Sequence, residues 1–501
     1  MRNDMAGRAQ EIALTITTWP SVTGSADEAV FAGKLADFLN GFNFDRVWIE
    51  AIPGDPAKRS NVFALKRGKS PSTIVLTGHF DVVPIEDYGA LKPLAFKAEK
   101  LLPELVARLK RSGENPLALA DLESGDFLPG RGLLDMKAGL AAGLAAMESY
   151  RGDGTLLFIG VSDEEDRSAG ARVAVPHISR IAAEQRLDIE LIINLDAISD
   201  QGDGASGRVV ALGSAGKLLL TAFVVGKEAH ACYPRDGANA AYLASELVIE
   251  FELASELAER SGDEIAAPPT ALAAKDLKQG YNVTTPAQAW VYWNTLQHRR
   301  PAREVFDIGL MLARRAMARA AKRVKREIPV MDYAELAERV PKAAREAKAT
   351  ELAALAHLDL PERAKLMTAH MWEKSGLSGP AVIMGFGSIP YPAVTLADSA
   401  LAGTIMQAAK LHGLSSVRYF PGISDMSFLG EASGDLAAAA GNTPVWGTSF
   451  IMPEPAGYPC INIGPWGRDY HHWLERLHAP YAFDTLPRAL LAVIEAVLRR
   501  G

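Results

Sequence analysis

The segment "GTLLFIGVSDEED", residues 154–166, joins a continuous apolar run to four consecutive acidic side chains. The run is short and mostly apolar, which predicts a strand that is buried on both faces. Asp163, Glu164, Glu165 and Asp166 follow at its end. A cluster of acids after a strand is usually a solvated loop. The segment alone therefore leaves two interpretations open, an exposed turn or a group of carboxylates gathered for a cation.

Two other segments repeat the apolar pattern, "STIVLTGHF" (72–80) and "DIELIINLD" (188–196). The Ala-rich stretch "LDMKAGLAAGLAAMESY" (134–150) lies between the first of them and residue 154, and it predicts a helix. Continuously apolar strands separated by helices indicate an α/β domain with a mostly parallel central sheet. In such sheets chemistry gathers beyond the carboxyl ends of the strands. The polar motifs "HFD", "SDEED" and "LDA" occupy those ends.

The pattern changes after about residue 213, where shorter strand and helix signals alternate up to "IPVMDYA" (328–334). This series predicts an inserted α+β domain with one open sheet at residues 214–332. "GPAVIMGFG" (379–387) resumes the apolar style of the first part, and we expect it in the main sheet. The main domain is then discontinuous, formed by residues 1–213 and 333–501.

Composition excludes several classes of protein. The formal net charge of the 501 residues is −7, whereas a nucleic-acid-binding protein normally shows a basic domain or stripe. Cys232 and Cys460 are too few for a disulfide framework and fit a reducing compartment. No stretch of about 18 uncharged apolar residues is present. We expect a cytoplasmic protein that acts on a small molecule or peptide and binds neither nucleic acid nor membrane.

The strand ends and the C-terminal region supply the side chains that a dinuclear metal site requires. A catalytic zinc site uses imidazole and carboxylate ligands, and a second ion requires a carboxylate that can bridge. Singly, His-x-Asp could be a packed polar pair, Asp135 a helix N-cap, and the two adjacent histidines surface residues. Their joint occurrence at successive strand ends favours the metal site. The candidates are His79, Asp81, Asp135, Glu164, Glu165, Asp196, His471 and His472.

These motifs, in this order, resemble the family of dizinc metallohydrolases that includes aminoacylases, carboxypeptidases and succinyl-diaminopimelate desuccinylases. The resemblance covers nearly the whole chain. Two further motifs, "GHFDVVPIEDYG" and "WGRDYHHWLERLH", look most like the arginine-utilisation branch of that family. The motifs that carry the family resemblance are "TTWPSVTGSADE", "LTGHFDVVP", "GRGLLDMKAGLAA", "SDEED" and "GKEAHACYPRDGANA".

The resemblance implies two divalent metal ions, zinc in the first place with cobalt or manganese as alternatives. His79 and Asp196 would bind one ion, Glu165 and His471 the other, and Asp135 would bridge them. His471 is preferred to His472 because the family spaces this histidine four residues before a glutamate, and Glu475 stands four residues after His471.

The resemblance also implies roles for three other residues. Glu164 would be the general base, and Asp81 would support His79 as an outer carboxylate. His230 matches a lid histidine that, in dimeric members, reaches the active site of the partner. An ordinary buried or capping histidine is the alternative. We expect a homodimer formed through the lid, whose strand "LLLTAFVV" would otherwise be exposed at a sheet edge.

Two features depart from the family pattern. Asp81 and Asp135 are 54 positions apart, more than is usual, and the additional residues lie at 90–127. This insertion is either a cap over the active site or a pair of surface helices. The lid also reads "VYWNTLQHRRP" where many relatives carry Asp-x-Arg, so that Arg299 and Arg300 are the nearest candidates for binding a substrate carboxylate.

The expected function is metal-dependent hydrolysis of an amide bond in a small amino-acid derivative or a short peptide, in arginine or amino-acid catabolism. An aminopeptidase or dipeptidase with the same core is one alternative. A catalytically silent binding protein on the same fold is the other, since a fold by itself does not determine function.

Overall fold

The computed structural model of the protein describes residues 4–355, 357–433, 436–454 and 456–500. Residues 1–3 and 501, at the ends of the expected main domain, lie outside the described residues. The helices are α1 (Asp4–Thr17), α2 (Ala26–Leu39), α3 (Ala98–Ser112), α4 (Pro116–Ser124), α5 (Ala138–Ser149), α6 (Ala169–Gln185), α7 (Ala240–Phe251), α8 (Ala302–Val324), α9 (Tyr333–Glu338), α10 (Lys342–Ala353), α11 (Leu360–Lys374), α12 (Ser399–Lys410), α13 (Met426–Leu429), α14 (Ala437–Asn442) and α15 (Leu486–Leu498). Four short irregular helical segments are Glu86–Leu94, Leu133–Lys137, Pro234–Asp236 and Tyr481–Thr485.

The strands are β1 (Arg46–Ala51), β2 (Ser60–Lys66), β3 (Ser72–His79), β4 (Phe127–Pro129), β5 (Thr155–Val161), β6 (Asp188–Asn194), β7 (Ile198–Ser199), β8 (Val209–Ala211), β9 (Gly213–Ser214), β10 (Gly216–Val225), β11 (Arg260–Ser261), β12 (Glu264–Ile265), β13 (Thr270–Asp276), β14 (Gln288–Gln297), β15 (Val330–Asp332), β16 (Ala381–Phe386), β17 (Ala393–Thr395), β18 (Ser415–Val417), β19 (Ala432–Ser433), β20 (Cys460–Asn462), β21 (Trp466–Arg468) and β22 (Arg476–His478).

The chain divides into two compact units. The larger unit is discontinuous and comprises Met1–Ser214, Val394–Ala432 and Pro453–Gly501. The smaller unit comprises Ala215–Ala393 and Ser433–Met452. The smaller unit therefore continues well beyond residue 332, where the sequence pattern led us to place its end.

The larger unit is built on an eight-stranded sheet with the order β1-β2-β5-β3-β6-β20-β8-β18. Its central strands β5, β3, β6 and β20 are parallel to one another, while β1 and β2 are antiparallel additions. Strand β5 is buried along its whole length, as its continuous apolar sequence requires. The predicted α/β class with a mostly parallel central sheet is confirmed, and the ends of β3, β5 and β6 carry the three polar motifs.

One face of this sheet is covered by α1, α2, α5, α12 and α15, whose apolar side chains form the main core of the unit. Helix α5 begins close to the end of β6 because Gly139 has no side chain. A Cβ at that position would lie 2.1 Å from the carbonyl oxygen of Leu195. The close approach places the start of α5, which follows Asp135, beside the segment that carries Asp196.

The insertion at 90–127 forms a pair of helices, α3 and α4. Its apolar residues make a small core of their own with Tyr88 and Leu474. It leads into β4, the edge strand of a four-stranded sheet with the order β4-β22-β21-β7. Residues 469–475 connect β21 to β22 in this sheet.

The smaller unit contains a five-stranded sheet with the order β13-β14-β10-β16-β15. Two expectations were wrong here. The strand "LLLTAFVV" lies in β10, which is not at an edge, because β14 and β16 pair with it on either side. Strand β16, which we expected in the main sheet, belongs to this sheet instead. Its apolar sequence fits any fully buried strand, so composition could not assign it to one sheet or the other.

Within the described parts of the chain, no helix combines the length and the apolar character that crossing a membrane would require.

From the packing of α5 we predict how alanine substitution at two helical glycines changes the free energy of unfolding. Gly139→Ala places a methyl group against backbone that cannot move away, and overpacking of this kind costs about 1–3 kcal/mol. Gly33→Ala is the matched control in α2, where the added methyl group meets nothing within 4 Å. That change is expected to stabilise by about 0.5–1 kcal/mol, because alanine loses less backbone entropy in a helix. Urea unfolding midpoints should therefore move in opposite directions, and a shift of the same sign in both variants would contradict the close packing of α5.

Candidate metal centre

His79 lies at the end of β3 with its ring buried. Its Nδ1 is 3.0 Å from the backbone carbonyl oxygen of Asp81, and because a carbonyl oxygen only accepts, Nδ1 carries a proton. Nε2 faces two carboxylates. Nε2 is 3.2 Å from Oδ1 of Asp135 and 3.8 Å from Oδ1 of Asp196. This orientation is the one in which an imidazole can bind a metal ion.

The Asp135 carboxylate lies between two histidines. Its Oδ1 faces Nε2 of His79, and its Oδ2 is 3.1 Å from Nε2 of His471. His471 Nε2 is also 3.2 Å from Oε2 of Glu165. One carboxylate that presents a different oxygen to each of two imidazoles has the arrangement of a bridging ligand.

The donor atoms of His79, Asp135 and Glu165 all lie within 4.8 Å of one another. Donor atoms bound at about 2.1 Å around a tetrahedral zinc ion are roughly 3.4 Å apart. The separations of 3.1, 3.2 and 3.8 Å around His79 and His471 bracket that value. The residues present therefore fit divalent ions without rearrangement of the backbone.

The charges of the cluster also favour cations. Burial raises the pKa of Glu164, Glu165 and Asp196, and neighbouring carboxylates add to each increase. Burial alone would lower the pKa of His471, but its hydrogen bonds with Asp135 and Glu165 raise it to about 11. Four largely buried carboxylates thus face the buried imidazole of His79 and the partly exposed imidazole of His471. Cations offset such an excess of buried negative charge.

The four acids that follow β5 have different environments. Glu165 faces His471, and Oε2 of Glu164 is 4.0 Å from Nε2 of His79. Asp163 is buried and forms an ion pair with Arg59, whereas Asp166 pairs with Arg167 at 3.0 Å. The run is therefore not a plain solvated loop, since only Asp166 is exposed.

The sequence analysis did not single out Arg59, although this residue supports the acidic turn. Its guanidinium contacts Asp163, binds Asp55 at 2.9 Å and lies 3.4 Å from Glu28. Glu28 in turn accepts the N–H of Asp163 at 2.9 Å. Arg59 precedes β2, about a hundred residues from its partner, and no local pattern connects them. The network fixes the backbone immediately before Glu164.

The Asp81 carboxylate holds the two glutamates through their backbone. It accepts the N–H groups of Glu164 and Glu165 at 3.1 and 3.2 Å and the hydroxyl of Thr23 at 2.7 Å. Nδ1 of His79 lies 3.7 Å from this carboxylate and is bound by the Asp81 carbonyl instead. Asp81 thus orients His79 with its main chain and positions the acidic turn with its side chain.

Glu475 has a similar role for Asp135. Its Oε1 accepts the N–H of Gly132 at 2.9 Å, and its Oε2 accepts a hydrogen bond from Arg131 at 2.8 Å. Burial raises the pKa of Glu475 to about 7, and Arg131 opposes that increase. The segment that leads to Asp135 is therefore attached to the chain just beyond His471.

The remaining candidates lie as follows. Both adjacent histidines are exposed, but His471 contacts Asp135 and Glu165, whereas Nδ1 of His472 accepts the N–H of Leu474 at 3.3 Å. His230 belongs to the smaller unit, where it is exposed and its Nδ1 accepts the N–H of Cys232 at 3.1 Å. Arg300, in the same unit, donates to the carbonyl of Glu256 at 2.7 Å.

Asp425 is a buried acid near the cluster that the sequence analysis missed. Burial raises its pKa to about 7, Asp81 and Asp196 add to the increase, and Ser168 and His79 oppose it. It precedes α13 in "PGISDMSFLG", where an aspartate resembles an ordinary N-cap. Its proximity to the cluster depends on how β20 and α13 pack, which no short motif shows.

Comparisons with known proteins relate the chain to a family of peptidases. Residues 75–441 match the sequence profile of Peptidase family M20/M25/M40. Uncharacterized protein YqjN of Bacillus subtilis (strain 168) is 31% identical over 97% of this chain and 96% of its own length. Protein RocB of the same strain is 28% identical over 96% and 93%. A succinyl-diaminopimelate desuccinylase of Ectopseudomonas mendocina (strain ymp) is 29% identical over 55% of this chain and 63% of its own length.

Solved structures with the same fold include two peptidases. A tripeptidase from Staphylococcus aureus subsp. aureus Mu50 aligns with a TM-score of 0.56 at 17% identity, covering 99% of both chains. An M20 family metallo-carboxypeptidase from Sulfolobus solfataricus aligns with a TM-score of 0.55 at 12% identity, covering 98% of this chain and 99% of its own. At these identities the likeness concerns the fold.

From the Arg59 network we predict a large loss of stability when its cation is removed. Arg59→Met leaves Asp163, Asp55 and Glu28 without their cation in a buried environment. Removing one partner of a buried ionic group costs about 3–5 kcal/mol. Lys69→Met is the control, because the ion pair of Lys69 with Asp153 is exposed and should contribute less than about 1 kcal/mol. Equal urea midpoints for the two variants would show that the network does not support the fold.

Proposed function

The chain belongs to peptidase family M20/M25/M40, and from that premise we propose that it hydrolyses an amide bond in a small amino-acid derivative or a short peptide. It is a metal-dependent hydrolase of this family. The observation that carries the proposal is the position of the Asp135 carboxylate, with one oxygen toward His79 and the other toward His471. Metal-dependent hydrolysis uses such a shared carboxylate to hold two ions beside each other.

The proposed metal content is two divalent ions, zinc in the first place with cobalt or manganese as alternatives. His79 and Asp196 would hold one ion, Glu165 and His471 the other, with Asp135 shared. When bound, the ions supply Lewis acidity that activates water and stabilises charge on the carbonyl oxygen of the substrate. The imidazole and carboxylate donors and their separations support this assignment.

Glu164 is the proposed general base. Its Oε2 is 4.0 Å from Nε2 of His79, whereas Oδ1 of Asp135 is 3.2 Å from the same nitrogen. The backbone N–H of Glu164 donates to the Asp81 carboxylate. Burial raises the pKa of Glu164 well above that of an exposed glutamate. A carboxylate with a raised pKa can take a proton from water and return it to the leaving amine. Asp81 is a positioning residue in this scheme, and His230 is kept as a proposed contributor to oxyanion stabilisation in a dimer.

The proposed substrate class takes support from the relatives. Their names include a desuccinylase of an amino-acid derivative and a tripeptidase, and both activities cleave an amide bond. The motifs "GHFDVVPIEDYG" and "WGRDYHHWLERLH" favour a substrate from arginine or amino-acid catabolism. An aminopeptidase or dipeptidase remains the alternative.

A cytosolic location also stays a proposal, supported by two cysteines that form no disulfide.

The direct test combines metal analysis with a panel of N-acyl amino acids, including arginine and ornithine derivatives, and of di- and tripeptides. Protein purified without chelator should contain close to two zinc-like ions per chain. Turnover of acyl amino acids in preference to peptides supports the proposed substrate, and the reverse preference supports the alternative. A protein with no bound ions and no turnover would overturn the proposal.

Two neighbouring variants test the assignment of the glutamates. Glu164→Gln should keep both ions and bind substrate, but lose about 10²–10⁴-fold in kcat, because a general base is removed while the ligands stay. Glu165→Gln should lose one ion, because a ligand charge is removed. Metal content measured beside kcat distinguishes the two roles. Loss of metal in Glu164→Gln with two ions retained in Glu165→Gln would reverse the assignment.

We also propose a homodimer through the lid, in which the edge strand β13 forms the interface. This strand pairs only with β14 in its sheet, and the side chain of Leu272 is 56% exposed. An unpaired strand edge is readily covered by a second copy. Light scattering should show a dimer at micromolar concentration and a monomer for Leu272→Lys. Ile49→Lys is the control on edge strand β1, where the side chain is 48% exposed, and it should remain dimeric. A monomeric wild-type protein would contradict the proposal.

A further inference from the structure

The segment that carries His471 adopts an unfavourable backbone. Residues 469–475 join β21 to β22, and within them Asp469 and His471 have φ angles of 55° and 64°. Residues with a Cβ rarely occupy this left-handed region, because the side chain crowds the following carbonyl. Such a conformation persists only where its surroundings hold it. Residues 469–475 are called the His471 loop, and contacts around the loop must hold it in this conformation.

The His471 loop is flanked by two buried arginines that bind one carboxylate. Arg468 immediately precedes the loop and donates to both oxygens of Asp121, at 2.9 and 2.8 Å. Arg476 immediately follows it and donates from Nε to Oδ2 of Asp121 at 2.8 Å. Asp121, which is not part of the loop, thus links the residue before the loop to the residue after it.

This group of charges is balanced and shielded from solvent. Arg476 also binds Asp469, the first residue of the loop, so that two guanidinium groups meet two carboxylates. Arg468, Arg476 and Asp121 are each less than a tenth exposed. Multiple charge-assisted bonds of this kind fix geometry more strictly than a single ion pair on the surface.

Asp121 comes from α4, in the middle of the 90–127 insertion. The insertion contacts the His471 loop in two other ways. Arg108 of α3 lies 4.0 Å from the centre of the Trp473 ring, and Leu474 packs with Leu101 and Leu105. Strand β4, which ends the insertion, pairs with β22 directly after the loop. Ion pairs, ring and apolar contacts, and strand pairing from the insertion therefore reach the His471 loop or the residues that directly flank it.

We propose that the insertion is a positioning element for the metal centre, and that Asp121 holds the His471 loop in the conformation that presents His471 to Asp135 and Glu165. The inference rests on the proposed function, since it assumes that His471 binds a metal ion. Asp121 touches neither substrate nor metal in this account and acts through Arg468 and Arg476. The helix pair thereby gains a role in the chemistry through the loop that carries His471.

The test compares Asp121→Asn with Asp126→Asn. The first change keeps the shape of the side chain and removes the charge shared by the two arginines, while the second removes an exposed charge from the same insertion. Zinc affinity of the full-length variants is measured by competition with a chelator. Substitution of residues that support metal ligands weakens binding by about 10–100-fold. We expect that loss for one of the two ions in Asp121→Asn and wild-type affinity for both ions in Asp126→Asn.

Hydrogen exchange of the metal-free proteins provides a second readout. Amides of residues 469–475 should exchange at least about tenfold faster in Asp121→Asn, while strands β3, β5 and β6 keep wild-type protection. Arg468→Lys is the second variant if Asp121→Asn does not fold. It keeps the buried charge but lacks the second guanidinium nitrogen that binds the carbonyl of Gly202, and it should change the same amides to a smaller extent.

The outcomes separate this inference from the proposed function. Unchanged exchange of the His471 loop, or unchanged affinity for both ions, would overturn the positioning role. Faster exchange throughout the larger unit, with both ions weakened equally, would also overturn it, because Asp121 would then support only general stability. If the wild-type protein binds no divalent ion, the metal centre fails. Exchange of the loop in the metal-free protein still decides whether Asp121 holds it.

Discussion

The structure of the larger unit depends on accommodating an excess of buried negative charge at the carboxyl ends of its parallel strands. Asp135, Glu164, Glu165 and Asp196 meet there, and among the described residues the imidazoles of His79 and His471 face them. Carboxylates in such surroundings either become protonated or require cations. A parallel sheet makes the cluster possible, because it brings the ends of β3, β5 and β6 to one edge although they are distant in the chain. The raised pKa values of Glu164 and Glu165 follow from this one constraint.

A second group of buried acids serves a different purpose, which is to hold the backbone. Asp81 accepts the N–H groups of both glutamates, and Glu475 accepts the N–H of Gly132 in the segment before Asp135. Turns that follow strands leave N–H groups without partners, and a buried donor without a partner is costly. Carboxylates satisfy these donors and keep the ligand-bearing segments in place. Residue type alone does not tell a ligand from a support. A buried acid whose oxygens face imidazoles is a candidate ligand, and one whose oxygens accept backbone N–H groups is a support.

Much of this could be predicted from the sequence, because the signals are local. The apolar runs at 72–80, 154–162 and 188–196 became β3, β5 and β6, and the polar motifs after them supplied the cluster. The failures share one physical cause, which is that the deciding contact lies far away in the chain. Arg59 and Asp163 are 104 residues apart, and Arg468 and Asp121 are 347 apart. Strand β16 was assigned to the wrong sheet for the same reason, since pairing with β10 leaves no mark on its own apolar sequence.

The insertion shows how added chain can influence a site without altering the sheet. The entropy cost of closing a loop grows only slowly with its length, so about forty extra residues between β3 and α5 cost little if they pack among themselves. The helix pair does so through its own apolar core, and it directs one charged side chain, Asp121, toward the loop beyond β21. Ligand-bearing loops need tight positioning, whereas the strands beneath them are already fixed by the main core. An insertion that holds both ends of a loop, as Asp121 does through Arg468 and Arg476, therefore adds rigidity where the sheet cannot provide it.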